Sequence, residues 1–144
     1  MLSISDSRRA ARIHAVQEHF RIENTHNLDA VMDTFGSQTS FLANHELHEW
    51  REAVRAFYDE FFRGFPDLRF DITHLHVGDE AIPVAMVLSG THTGTWFGMP
   101  PTGRRFEIPA CAVFIFDEHD KIAGERGYFD SALMLRQLGL LPQS

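Results

Sequence analysis

The stretch "FPDLRFDITHLHVGDEAIPVAMVLSGTHTG", residues 65–94, separates a helical half of the chain from a half built of strands. Before it, apolar residues recur every three to four positions, which is the spacing of one helix face. After Leu68 the apolar period becomes two, as in strands that bury one face. Pro66 cannot continue a helix, and it pushes Phe65 toward extended geometry. The change of period predicts an α+β fold, with helices first and an antiparallel sheet after them.

Three helices and one short strand are predicted upstream of this stretch. The first helix begins at Asp6 or Ser7, which are suitable N-caps. The second follows Asn27 and ends at Gly36, and "TSFLAN" then forms a short strand. The third and longest helix starts at about His48 and continues to the FPDL sequence.

Two strand pairs and a final helix are predicted downstream. "LRFDITHLHV" and "IPVAMVLSGTHTG" form one pair, "RRFEIPACAVFIF" and "KIAGERGYF" form the other, and "SALMLRQLG" is the last helix. The predicted order is α-α-β-α-β-β-β-β-α in one domain, residues 1–144. A curved sheet of this kind can wrap the long helix and leave a cone-shaped cavity.

Composition excludes several classes of function. The formal net charge of −7 argues against a nucleic-acid partner and against an anionic membrane surface, which both require a basic face. No apolar run approaches the roughly 18 residues of a membrane span. The N-terminal sequence carries charges where a signal peptide is apolar, so we expect a cytoplasmic protein. Thirteen Phe residues would suit the wall of an apolar cavity.

The histidines, cysteine and glycines do not form a complete cofactor motif. His74, His76 and Glu80 resemble part of a cupin metal motif, but Leu68 and Val87 stand where that motif has glycines. A single cysteine excludes a Cys-rich metal site. Glycines recur from 90 to 103, but they precede a Pro-Pro turn and a strand, whereas a phosphate cradle requires a helix N-terminus. We therefore expect no metal and no other cofactor.

The segments "GTHTGTWFGMPPTGRRFEI", "DKI" and "YFDSALMLRQLG" resemble the SnoaL-like polyketide cyclase group of the NTF2-like superfamily. "ENTHNLDAVMDTF" and "AVRAFYDEFFRGFPDLRFDI" extend the resemblance over nearly the whole chain. The resemblance implies a cone-shaped α+β barrel, a deep apolar pocket, no metal and a homodimer. The group includes aldol-type ring closers, epoxide-opening enzymes, isomerases and non-catalytic members.

The chain differs from the family that it resembles at the positions that are usually catalytic. Cyclases of the group usually have an acid/base Asp on the last strand, and Gly127 matches that position here. Glu125 stands where the family often has His. On the preceding strand, Ala112 matches a position that is commonly polar. The usual mechanism therefore does not transfer to this chain, and the smaller side chains imply a larger or reshaped cavity.

Four residues are the candidates for chemistry. Glu125 and His92 are the predicted acid/base pair, with Asp130 and Tyr128 in support. Strand alternation predicts that Glu125 faces the cavity, where burial would raise the pKa of its carboxyl. The alternatives are a pairing with Arg126 at the surface and an inward carboxyl tied to Arg104 or Arg105. His92 either acts as a base or donor in the pocket, or satisfies backbone groups at the GTHTG bend. Asp130 also suits the N-cap of the last helix.

The predicted wall of the cavity is mostly aromatic. Its members are Phe20, Trp50, Phe57, Met86, Trp96, Phe97, Met99, Ala112, Phe114, Phe116 and Gly127.

We interpret the chain as a cofactor-independent cyclase or isomerase of secondary metabolism, or a related lyase. Its substrate would be a small hydrophobic metabolite of polyketide or terpenoid type, held in an apolar pocket. A non-catalytic binding module for such a ligand is the alternative. A second alternative is an epoxide hydrolase with an Asp-Arg-Asp arrangement, which would require Arg126 to turn inward.

Overall fold

A computed structural model describes residues 4–142 of the chain. The helices are α1 (Asp6–Glu23), α2 (Leu28–Asp33), α3 (Arg51–Gly64) and α4 (Ser131–Gln137). The strands are β1 (Ser40–Ala43), β2 (Glu46–Glu49), β3 (Arg69–Leu75), β4 (Ala81–Thr91), β5 (Arg105–Phe116) and β6 (Ile122–Phe129). No helix among these combines the length and the apolar character that a membrane span requires.

The strands form one curved mixed sheet in the order β2-β1-β6-β5-β4-β3. The four strands from β3 to β6 are antiparallel neighbours, as predicted, while β1 pairs with β6 in parallel. The prediction missed β2 and assigned its last two residues, His48 and Glu49, to the start of the long helix. β1 and β2 form a hairpin that turns at Asn44, which has a φ of 57°. Asn tolerates this left-handed geometry better than most residues.

Side-chain caps and one proline set the helix ends. Ser5 caps α1, because its hydroxyl accepts from the Arg8 N–H at 3.3 Å, so the prediction of Asp6 or Ser7 was wrong by one or two positions. Asn27 caps α2 as predicted. α3 ends at Gly64, and Phe65 is extended before Pro66, as the FPDL sequence predicted. The long helix thus starts at Arg51 rather than at His48.

Two apolar clusters pack the helices against the sheet. The first joins Val16 and Phe20 of α1 to residues of α2, α3 and the sheet, including Phe114. The second surrounds Phe65 at the end of α3 and includes Met134 of α4. Many of the phenylalanines therefore fill the core. A cavity lies between the two clusters, under α3.

Candidate active site

A largely apolar cavity lies between α3 and the inner face of the sheet. Its volume is about 60 Å³. The lining residues are Glu23, Phe41, Phe57, Tyr58, Phe61, Leu68, Phe70, Met86, Leu88, Ala110, Cys111, Ala112, Glu125, Gly127, Tyr128 and Phe129. Strand register explains the sheet side of the wall, because Ala112 pairs with Gly127 across β5 and β6 and both face inward.

Glu125 is the buried carboxyl of this cavity. It lies on β6, two residues before Gly127, and only 4% of the residue is exposed. Tyr58, on the inner face of α3, donates its hydroxyl hydrogen to Glu125 Oε2 at 3.0 Å. The pairing of Glu125 with Arg126 at the surface, which was one of the alternatives, is not what the structure shows. Arg126 instead reaches Ser40 Oγ at 3.2 Å.

His19 and Glu23 of α1 complete the polar group, and sequence analysis missed both. They are four residues apart and therefore lie on one helix face, where they are 0% and 1% exposed. His19 Nε2 lies 3.3 Å from the Tyr58 hydroxyl, 3.3 Å from Glu23 Oε1 and 3.9 Å from Glu125 Oε2. We call His19, Glu23, Tyr58 and Glu125 the polar cluster.

A hydrogen bond from Thr34 fixes the orientation of His19. The Thr34 hydroxyl donates to the Val31 carbonyl at 2.6 Å, so it accepts from His19 Nδ1–H, also at 2.6 Å. His19 Nε2 is therefore the ring nitrogen that faces the other members of the polar cluster. When His19 is protonated, Nε2–H donates toward the Tyr58 oxygen, and Tyr58 donates to Glu125.

Burial and mutual charge shift the pKa values of the polar cluster. Burial, and then the charge of Glu23, raise the pKa of Glu125 to about 8. Burial, with the charges of Glu125 and Glu23, raises the pKa of Tyr58 well above its ordinary value. Burial lowers the pKa of His19, but the two carboxylates outweigh this effect and the net shift is upward. At neutral pH the Glu125 carboxyl thus holds a proton that it can donate.

Glu23 differs from Glu125 because neither of its carboxylate oxygens accepts a hydrogen bond from any residue in the range 4–142. His19, Glu23 and Glu125 each offer a ligand atom, and these atoms lie within 4.8 Å of one another. This is the group that could accept a metal cation. The histidines considered from sequence as partial metal ligands do not form such a group among the described residues: His74 lies on β3 and His76 directly after it, and both are exposed. The expectation that no metal is required remains a prediction.

His92 does not lie in the cavity. β4 ends at Thr91, and His92 follows it at the GTHTG bend, beyond the part of the strand that lines the cavity. The side chain is fully buried beside Phe65, with the ring centroids 5.3 Å apart. Its Nδ1 accepts from the Thr102 N–H at 3.3 Å. Burial lowers the pKa of His92. The structure thus places His92 in the bend, where it holds the 93–104 loop, which was the second interpretation.

The two supporting candidates lie at the edge of the site. Asp130 is the N-cap of α4, with its carboxylate accepting from the Leu133 N–H at 2.9 Å, and it does not line the cavity. Tyr128 does line the cavity, but it is 46% exposed, so its hydroxyl is near the rim.

Four of the predicted wall residues line the cavity, namely Phe57, Met86, Ala112 and Gly127. The other predicted wall residues do not line this cavity, and three of them, all phenylalanines, pack in the core or against it instead. Phe20 and Phe114 belong to the first apolar cluster, and Phe116 packs under the Arg12 guanidinium. Trp50 precedes α3 and is 74% exposed.

Trp96, Phe97 and Met99 belong to the loop after β4, and none of them lines the cavity. Trp96 and Phe97 instead line an outer groove of about 290 Å³, together with residues of β1 and α4. Phe57, Phe61 and Phe129 border both spaces. The groove therefore lies next to the cavity on its solvent side, with three aromatic residues between them.

A comparison with protein families bears on the whole chain. A family model described as SnoaL-like polyketide cyclase matches residues 13–138. A comparison with curated proteins finds no significant match.

Solved structures share the fold at low sequence identity. A protein from Jannaschia described as a SnoaL-like polyketide cyclase has a TM-score of 0.85 and 19% identity, covering 99% of this chain and 100% of that chain. IdmH from Streptomyces antibioticus, described as a polyketide cyclase, has a TM-score of 0.74 and 19% identity, covering 89% and 98%. A ketosteroid isomerase-like protein from Catenulispora acidiphila, in complex with trimethylamine, has a TM-score of 0.75 and 15% identity, covering 88% and 93%. The predicted NTF2-like α+β fold is confirmed.

Proposed function

Because this chain belongs to the SnoaL-like polyketide cyclase family, we propose that it is a cyclase or isomerase that moves a proton on a hydrophobic, oxygenated metabolite without a cofactor. The observation that supports this proposal is the Glu125 carboxyl, which is buried in an apolar cavity and bonded to Tyr58. A carboxyl whose pKa is raised to about 8 exchanges protons near neutral pH, where general acid–base catalysis is most effective.

The same carboxyl serves both steps of such a reaction. In its ionised form Glu125 removes a proton from a carbon next to a carbonyl group, and the C–H electron pair becomes an enolate. In an isomerisation, the protonated carboxyl returns the proton to another carbon. In an aldol-type ring closure, the enolate carbon forms a bond to a second carbonyl carbon, and the proton goes to the new alkoxide oxygen. Each step is redox-neutral.

Tyr58 and His19 support Glu125 rather than touch the reacting carbon in this proposal. The Tyr58 hydroxyl holds Oε2, so Oε1 is the oxygen left for the substrate. The charge of His19 lowers the pKa of Glu125, and the hydrogen bond to Thr34 fixes the orientation of the His19 ring. Both are positioning residues, since they keep one carboxyl rotamer and stabilise the ionised form of Glu125.

The cavity is small relative to the metabolites that the family name implies. We infer that the reacting part of the ligand enters the cavity and that the remainder lies in the outer groove, beyond Phe57 and Phe61. The largely apolar wall supplies orientation and removes water from the carboxyl. A small hydrophobic metabolite is therefore the proposed partner, and the expected homodimer and cytoplasmic location remain predictions.

The epoxide hydrolase alternative requires an arginine in the cavity, and none of residues 4–142 that line it is an arginine. Its Asp-Arg-Asp arrangement requires a guanidinium in the pocket, but Arg126 contacts Ser40 and the Glu125 carbonyl oxygen. Neither Arg nor Asp occurs in the cavity wall formed by residues 4–142.

The Glu125→Gln substitution separates an enzyme from a binding module. Gln keeps the size and hydrogen bonding but removes the titrating proton, so we expect turnover to fall about 10²- to 10⁴-fold. The measurement is turnover of a panel of oxygenated polyketide and terpenoid compounds, with ligand affinity determined in parallel. Glu107→Gln is the control, because Glu107 is an exposed carboxylate on the neighbouring β5.

Full turnover in Glu125→Gln would place the chemistry elsewhere. Tight binding without turnover in the wild type would favour the binding module. We expect affinity to change little in the variant, because apolar contacts provide most of it.

A further inference from the structure

Glu23 is a buried carboxylate that the mechanism above does not use. It lines the cavity, is 1% exposed, and carries the charge that helps to raise the pKa of Glu125. Neither oxygen accepts a hydrogen bond from residues 4–142. A buried charged group without hydrogen bonds is costly, so a carboxylate kept in this state has free acceptor capacity for a ligand.

We propose that the ligand of this cavity carries a basic nitrogen, and that its ammonium N–H group binds Glu23. The proposal rests on the proposed function, because it assigns the chemical class of the ligand in the same cavity. It goes further because it names the ammonium group as the part of the ligand that enters the cavity and Glu23 as the residue that binds it.

Within the polar cluster, His19 is the one cation that could bind Glu23 in place of a ligand. Both of its N–H groups point to other partners. Nδ1–H donates to Thr34 Oγ1. Nε2 is 3.3 Å from Glu23 Oε1, but the contact does not have the geometry of a hydrogen bond, and the Tyr58 oxygen lies equally near. His19 thus offers Glu23 an ion pair and leaves its oxygens without a donor.

The cavity wall favours a cation over an anion. Seven aromatic residues line it, and the face of an aromatic ring attracts an ammonium group within about 6 Å. They are Phe41, Phe57, Tyr58, Phe61, Phe70, Tyr128 and Phe129. Neither Lys nor Arg contributes to the part of the wall that residues 4–142 form, so a carboxylate or phosphate on the ligand would meet two glutamates without a counter-ion. The net charge of −7 also attracts cations to the protein.

Three probes of similar size test the proposal by NMR titration of the ¹⁵N-labelled protein. N,N-dimethylbenzylammonium carries the cation and an N–H donor. Isobutylbenzene has nearly the same shape without charge or donor, and 2-phenylethanol has a neutral donor. We expect the ammonium probe to bind at least tenfold more tightly than both others, and to shift the amides of residues that line the cavity.

Two variants assign the effect to Glu23. In Glu23→Gln we expect the ammonium affinity to fall at least tenfold while isobutylbenzene affinity stays within about threefold. Glu18→Gln is the matched control, because Glu18 lies on the same helix, outside the cavity, and its loss changes the net charge equally. We expect no change in this control. If Glu23→Gln does not fold, the relative affinities of the three probes for the wild-type protein still test the proposal.

Two outcomes overturn the proposal and can be told apart from a failure of the proposed function. Isobutylbenzene or 2-phenylethanol binding in the cavity as tightly as the ammonium probe refutes the basic nitrogen but leaves Glu125 as the acid/base group. Absence of binding by all three probes refutes this proposal as well, whereas the function proposed above fails only if Glu125→Gln retains full turnover.

Discussion

Replacing Tyr58 by Phe should raise the pKa of Glu125 further. Tyr58 donates to Glu125 Oε2 at 3.0 Å, and this hydrogen bond lowers the pKa of a carboxyl that burial has raised to about 8. A hydrogen bond to a charged group contributes about 1.5–3 kcal/mol, and one pKa unit corresponds to about 1.36 kcal/mol. Because Tyr58 also bonds the neutral carboxyl, the difference between the two protonation states is at the low end. We expect a rise of about one unit.

The assay requires no substrate. Selective ¹³C labelling of glutamate carboxyls allows the titration of Glu125 to be followed by NMR, with Glu125→Gln identifying its signal. Tyr128→Phe is the control, because it removes the same hydroxyl from a residue at the cavity rim that is 46% exposed. We expect the Glu125 titration in this control to match that of the wild type.

The reasoning is refuted by either of two results. If Glu125 of the wild type titrates near its ordinary pKa of 4.5, burial does not have the effect assigned to it. If Tyr58→Phe leaves a raised titration unchanged, the hydrogen bond does not stabilise the ionised carboxyl. In the first case the proposed acid/base role of Glu125 loses its physical basis.

Two further predictions concern stability. The contribution of Glu125 to the free energy of unfolding should fall as pH rises from about 4.5 to about 8, because Glu125 holds its proton in the folded protein over this range while the unfolded chain has released it. Urea unfolding of the wild type and of Glu125→Gln at several pH values measures this contribution as the difference between the two proteins. A difference that rises with pH would contradict the raised pKa. Gly94→Ala should destabilise the protein by about 1–3 kcal/mol, because a Cβ there would collide with the Arg63 carbonyl oxygen. Gly127→Ala is the control for thermal unfolding, since its Cβ would meet its nearest atom at 3.4 Å, and equal melting temperatures for the two variants would refute the steric argument.

Local rules predicted the parts of the site that depend on one element. Alternation along the last strand places Glu125 and Gly127 on one face, and both line the cavity. The same rule did not place His92 in the cavity, because His92 lies one residue beyond the end of β4, where its ring packs on Phe65. Trp50 failed similarly, since the helix that was to carry it starts one residue later.

The rest of the site depends on long-range packing. His19 and Glu23 are about one hundred residues from Glu125 in sequence, and only the packing of α1 on the sheet brings them together. One signal was present in the sequence: His19 and Glu23 lie at the same helical spacing as the apolar residues Val16 and Phe20. Polar residues in the buried stripe of a helix indicate a polar cluster before the partners are known.

The three aromatic rings between the cavity and the outer groove have a kinetic consequence. Phe57 and Phe61 lie one turn apart on α3, and Phe57 is half-buried. Rotamer changes of side chains, which take picoseconds to nanoseconds in exposed residues, leave the helix backbone in place. Under the proposed function, the ligand would therefore pass between the groove and the cavity by rotation of these rings, with no opening of a domain.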